Sequence, residues 1–548
     1  MNKTSIMNKL LLLVLLTMTS IGFSQKKVAD LLVYNARIYT VDSLFSVEEA
    51  MAVKDGKIIS IGTTHKITNE FAAKTVLDAG HAFIYPGFID AHAHFLGYGL
   101  GLQTVDLTGT KSWEEILDRL KEYAVSHPDG WLTGRGWDQN DWDKKEFPGR
   151  EKLDELFPYR PVFLTRVDGH AAIANGKALA GIVPGMKLAG GEVETRDGKL
   201  TGILIDNAVD LVRSKIPLPN LKQRREAFLN AQANCFKVGL TTIDDCGLQY
   251  DEVKLVETMQ KKGDLKMRLY IMLSDNTANY EALFKRGMIK TDRLNVRSFK
   301  VYADGALGSR GACLLAPYSD KSGHYGFLLS TQKHFDEVAG KIYKHGFQMC
   351  THAIGDSGNR VMLQIYAKYL KGKNDRRWRI EHAQVINEND FDLFGNNSVI
   401  PSVQPTHATS DMYWAGDRLG PERVKGAYAY KQLLEQNGWL PLGTDFPVED
   451  ISPFKTFYAA CIRKDAKGWP TEGYQTANAL TRKQALMGMT IWAAKANFEE
   501  KEKGSLEPGK FADFVVLNGD LLTMNEEEIL QTQVLKTFVN GGLVYEKK

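Results

Sequence analysis

Short apolar strands alternate with amphipathic helical stretches over roughly 400 residues of this chain, and no other feature constrains its fold as much. Strand segments include Thr241-Thr242-Ile243, Leu269-Tyr270-Ile271-Met272-Leu273, Ser298-Phe299-Lys300-Val301-Tyr302 and Phe347-Gln348-Met349-Cys350-Thr351, with Val162-Phe163-Leu164 earlier in the chain. Apolar residues at helical spacing run over 113–126, 223–238, 333–345 and 483–494. Strands joined through helices pair in parallel, and the commonest large closed form of that pattern is a (β/α)8 barrel. The expected class is therefore α/β, a TIM-type barrel over residues 85–500. A long stretch near 97–210, carrying Trp131, Trp137 and Trp142, reads as an insertion into it.

The two ends of the chain read differently. Residues 25–84 and 501–548 hold short alternating strands, and Asp55-Gly56 supplies a hairpin turn. The ends are expected to pair into one small β-sandwich. Ahead of them, Lys3 and Lys9 precede the apolar run Leu10–Leu16, which gives way to small residues around Gly22 and Ser24. That is the layout of a signal peptide over residues 1–24, with Gln25 as first mature residue. It predicts export to the periplasm or beyond the cell, with no stable membrane insertion after cleavage. Net charge is +3 without a block of like charge, so nothing points to nucleic acid. Five cysteines without metal-ligand spacing read as buried free thiols.

Chemistry concentrates where barrel strands should end. His92 and His94 follow the apolar stretch Ala82–Ile89, and residues two apart on a strand share a side. Two imidazoles so placed suit a divalent metal. A polar pair on a surface loop is the plain alternative. His352, His382 and Asp445 likewise follow apolar segments, and the carboxyl ends of barrel strands carry a barrel's chemistry.

With these residues in place the chain resembles the amidohydrolase superfamily, and within it the amidohydrolase family 3 branch that includes N-substituted formamide deformylases. The matching segments are 86–94, Asp168-Gly169-His170, Lys300 with 304–310, His352-Ala353-Ile354-Gly355-Asp356, Arg379-Ile380-Glu381-His382-Ala383-Gln384 and Gly443-Thr444-Asp445. The resemblance implies one or two divalent metals, with zinc the best match to such donors. It implies that Lys300 is carbamylated and bridges the pair. His92, His94, Lys300 and Asp445 would then hold one metal, and Lys300, His352 and His382 the other. Lys300 paired with Asp304, or Asp304 itself as a ligand, are the alternatives. The reaction implied is hydrolysis of a non-peptide C–N bond in an amide, formamide or cyclic amide by a metal-bound hydroxide. Asp445 would take the proton of the water and pass it to the leaving amine. His170 is expected at the substrate or its tetrahedral intermediate, or else ordering its loop. Asp168 and Trp137 are expected at the pocket wall, Trp137 offering an apolar face unless it packs the insertion.

An esterase or lactonase could use the same site, and an exported metal-dependent binding protein could keep it without catalysis. The partner expected is a small amide-like molecule. The sequence leaves the oligomeric state open, a homodimer included.

Overall fold

The computed structural model describes residues 26–548. The leader read in residues 1–24 and the cleavage point before Gln25 lie outside the described residues. Among the described residues no helix is long and apolar enough to cross a membrane.

Seven parallel strands follow one another around the barrel in chain order: Phe88–Ala93, Leu240–Leu248, Arg268–Ser274, Leu294–Tyr302, Gln348–Ala353, Arg379–His382 and Ile400–Ser402. Residues 440–445 take the eighth place. There Gly443 N donates to Val403 O at 3.0 Å on one side, and Asp445 N donates to His92 O at 2.7 Å on the other. The first and fifth strands are buried along their whole length, as strands covered on both faces must be. Around them pack Leu221–Lys237, Tyr250–Lys262, Gln332–His345 and Asp356–Leu370. Their ends show why the chain turns there. Asn220 and Gln223 form a reciprocal cap at the start of the first, and Gly263 and Gly346 stop the next two in the left-handed conformation.

The helical periodicity over 483–494 resolves into two short helices, Arg482–Gly488 and Ile491–Ala496. Thr490 breaks the run with ψ near −97°, and its hydroxyl donates to the Leu486 carbonyl at 2.6 Å. Periodicity continues through such a break because both halves face the barrel.

Between the first and second barrel strands, a separate six-stranded sheet runs in the order Gly191–Arg196, Lys199–Asp206, Ala171–Ala174, Val162–Arg166, Leu132–Trp137, Val105–Asp106. The 162–164 segment thus belongs to this sheet rather than to the barrel. Helix Trp113–Ser126 packs on it through Ile116, Leu117 and Leu120, in one cluster with Trp137 and Trp142.

The chain ends form two further sheets. One holds Lys57–Gly62, Ala50–Lys54, Lys27–Tyr34 and Phe71–Asp78. In the other, Phe514–Leu517 pairs antiparallel with Phe83–Pro86, so both ends of the chain share one sheet. Leu31, Val33, Met51, Ile84, Phe514 and Phe538 pack between them. The last residues before the barrel are thereby fixed by the last residues after it.

Candidate metal centre and active-site cavity

A cavity of about 700 Å³ opens at the carboxyl ends of the barrel strands. His94, Lys300, His352, His382 and Asp445 line it, with Asp168 and His170 reaching in from the inserted sheet. His92 stands directly behind, fully buried. All six residues expected to ligate a metal therefore converge on one place.

The first and eighth positions are locked together from below. Asp90 accepts from Thr444 N at 2.9 Å, from the Thr444 hydroxyl at 2.7 Å and from His92 N at 3.2 Å. Gly443 permits the close approach, because a Cβ there would lie 2.6 Å from His92 N. Asp445 and His382 both adopt left-handed backbone conformations, with φ of 64° and 73°. Such conformations cost about 1–3 kcal/mol in non-glycine residues and gather at functional sites.

Two hydrogen bonds set the ligand tautomers. His92 Nδ1 donates to Glu381 Oε2 at 2.6 Å, and His94 Nδ1 donates to the Cys246 carbonyl at 3.0 Å. Both rings thus turn their Nε2 lone pairs inward, as a metal requires. His92 Nε2 lies 3.1 Å from Lys300 Nζ, and Asp445 Oδ1 lies 3.2 Å from His94 Nε2 and 3.6 Å from His92 Nε2. The rings of His352 and His382 are 4.5 Å apart, and those of His382 and His92 4.7 Å.

The charge states favour metal binding. Burial, with neighbouring histidines and Lys300, holds His352 and His382 well below the ordinary imidazole range, leaving them neutral. Burial works to raise the Asp445 carboxyl, but His407 and His94 outweigh it and hold it well below the usual carboxylate range. His382 Nδ1 and Asp445 Oδ1 are buried without a hydrogen-bond partner. Unpaired buried acceptors are costly, so these atoms fit a cation between them. The donor set is that of a divalent metal site.

Asp304 serves elsewhere. It accepts from the backbone N–H groups of Cys313, Ile354 and Gly355 at 2.8–3.0 Å, which leaves Lys300 to His92, while its Oδ1 lies 3.8 Å from His352 Nε2. Asp168 accepts from Arg166 Nη1 at 2.5 Å and from His170 N at 3.0 Å, so it shapes the loop that presents His170. His170 Nδ1 meets Asp206 Oδ1 at 2.6 Å, and its ring lies 4.9 Å from that of His352. Burial opposes its charge, but Asp206 outweighs burial and raises it above the ordinary range.

Trp137 is a correction. It is fully buried in the core of the inserted sheet, donating Nε1–H to the Leu164 carbonyl at 3.0 Å and packing on Trp142 and Phe147. Arg135, two residues earlier, lines the cavity instead.

Two further groups were not anticipated as site residues. Glu381 immediately precedes His382, and alternation along a strand would place it on the opposite face. His407 comes from the short helix Pro405–Asp411 after the seventh strand. Its Nε2 faces Asp445 Oδ2 at 3.4 Å and its Nδ1 faces Glu449 Oε1 at 3.0 Å. Burial opposes its charge, but the two carboxylates outweigh burial and push it up to about 10. His407 also lies within ligand distance of His382 and Asp445. With a carboxylate facing each ring nitrogen, it is placed as an ion-pair partner of Asp445 and Glu449.

Glu381→Gln keeps the shape of the His92 partner but removes its charge. Metal affinity is expected to fall about tenfold with the fold unchanged, as read by titration against a competing chelator. Unaltered affinity would show that Glu381 does not support His92 as a ligand.

A profile of the amidohydrolase family matches residues 75–545. The chain is 32% identical to Protein LONG AFTER FAR-RED 3 of Arabidopsis thaliana, over 94% of this chain and 92% of that protein. It is 26% identical to the N-substituted formamide deformylase of Arthrobacter pascens, over 94% of this chain and 98% of that enzyme. Its fold overlays that of an uncharacterized metal-dependent hydrolase from Pyrococcus horikoshii OT3 with a TM-score of 0.72 at 27% identity, covering 90% and 99% of the two chains. From its sequence profile and its resemblance to metal-dependent hydrolases, this chain belongs to the amidohydrolase family and is a metal-dependent hydrolase.

Proposed function

We propose that the chain hydrolyses a non-peptide carbon–nitrogen bond in a small amide, formamide or cyclic amide. The observation that carries this reading is the setting of Asp445: a cavity-facing carboxylate with one oxygen unpartnered and the other facing a protonated His407. An amide nitrogen leaves poorly unless it is protonated, far more so than an ester oxygen, so a C–N hydrolase needs a base that can give its proton back. Asp445 Oδ1 can take a proton from water, and His407 steadies the carboxylate between the two transfers. His170, backed by Asp206, offers a second N–H on the opposite wall to the developing oxyanion or the departing nitrogen.

His92, His94 and Asp445 would hold one divalent metal and His352 with His382 a second, zinc being the best match to these donors, and together these metals would activate the water and polarise the carbonyl. Lys300 enters this set as a carbamate, since an ammonium binds no metal. The similarity to a formamide deformylase supports the choice of a C–N bond. The leader read in residues 1–24 supports export, and with it a substrate met outside the cytoplasm.

The test is a matched amide and ester of one acid, offered to the metal-loaded protein. Amine release that is lost on chelation and recovers with metal is the expected result. Cleavage of esters with every amide untouched would replace this reading by an esterase.

A further inference from the structure

One cation of the cavity wall has no task in this chemistry. Arg135 lies on the strand Leu132–Trp137 of the inserted sheet, half-buried and lining the cavity that holds Lys300 and Asp445. The chain takes special measures to put it there. The register of the strand shifts between Arg135 and Trp137, and Gly136 sits at φ 113°, where a Cβ would lie 2.5 Å from the Thr108 hydroxyl. That kink sends Trp137 into the core of the insertion and leaves Arg135 on the cavity.

Arg135 is poorly satisfied where it lies. Its Nη2 donates to the Val167 carbonyl at 2.9 Å, and its Nε is buried without a partner. Among the described residues no carboxylate comes within ion-pair distance of it. Other cations that line the cavity are treated otherwise: Arg166 of the inserted sheet is clamped between Asp138 and Asp168, and Lys455 of the helix Pro453–Ile462 meets Asp450 at 2.8 Å. A cavity-facing guanidinium without an anion keeps donors free, and its planar fork matches a carboxylate bidentately.

We propose that Arg135 binds a carboxylate carried by the substrate, so that the amides hydrolysed here are acid-bearing ones. The inference rests on the C–N reading for the bond cleaved, but not for the recognition itself. The scissile carbonyl lies at the histidine cluster, and the acid group reaches the wall formed by the inserted sheet. Neutral amides of the same size leave Arg135 without its partner, and a site with an unpaired buried polar group discriminates strongly against the analogue that lacks it.

The experiment compares matched amides differing by a single carboxylate, acetanilide with 3-acetamidobenzoate, and a series placing the acid at successive distances from the carbonyl. In the metal-loaded protein the best acid is expected to exceed its neutral twin by about tenfold or more in kcat/KM. In Arg135→Gln that ratio falls to about one, mainly through KM for the acid, and Arg135→Lys restores part of it. The same acids should raise the thermal unfolding midpoint of the wild type more than that of Arg135→Gln, a readout independent of turnover. A wild-type ratio near one overturns the proposal while leaving C–N hydrolysis standing. An equal loss on both twins in Arg135→Gln also overturns it, and assigns the guanidinium to the oxyanion or to the 167–170 loop. A preference for acid-bearing esters with every amide untouched would support the role of Arg135 and sink the C–N reading instead.

Discussion

Asp445→Asn is expected to lower turnover by roughly a thousandfold or more in a protein that still folds. Asparagine is nearly isosteric and is, with aspartate, among the residues that best tolerate the left-handed backbone found here, φ 64°. The backbone bond from residue 445 to the His92 carbonyl does not involve the side chain, so the eighth barrel position should survive. What is lost is the anion that faces His94 at 3.2 Å and His407 at 3.4 Å, the group proposed above as metal ligand and proton carrier. The unfolding midpoint and far-ultraviolet circular dichroism report the fold, while kcat/KM on the best amide reports the chemistry. Unchanged turnover would remove Asp445 from the mechanism.

The second large effect concerns Lys300, which is wholly buried on the fourth barrel strand. Burial works against its charge, but the surrounding groups, the Glu381 and Asp445 carboxylates among them, keep the ammonium above its ordinary range. Burial alone therefore does not neutralise this lysine. Conversion to a carbamate requires loss of that proton, which the positive charge of a metal in the site would favour. It follows that reconstitution of metal-free protein should depend on bicarbonate as well as on metal. Lys300→Met should lose that dependence and fall roughly a hundredfold or more in kcat. Equal activity with and without bicarbonate in the wild type would leave Lys300 as a buried cation beside His92 rather than a ligand.

The parts of this molecule legible in sequence are those where one residue type at one spacing has a single physical use. Parallel strands buried on both faces read as apolar runs, and their carboxyl ends lead to His92, His94, His352, His382 and Asp445. The β character of the two termini was legible from period-two alternation and, in the sheet built from residues 27–78, from the Asp55-Gly56 turn, whose residues both have positive φ. Other features depended on contacts that no local pattern records. Glu381 reaches His92 across 289 positions of chain. His407 gains its charge from Asp445 and Glu449, which lie on another segment. Trp137 turns away from the cavity that Arg135 lines because a bulge at Gly136 breaks the alternation of their strand. Thr490 splits a helix whose apolar period runs on regardless.

The account stands or falls on whether these side chains hold metal, and the number of metals per chain measures that most directly. Elemental analysis of the protein purified without a metal-binding tag should find about two. A chain that takes up none, even after incubation with zinc and bicarbonate, would contradict it.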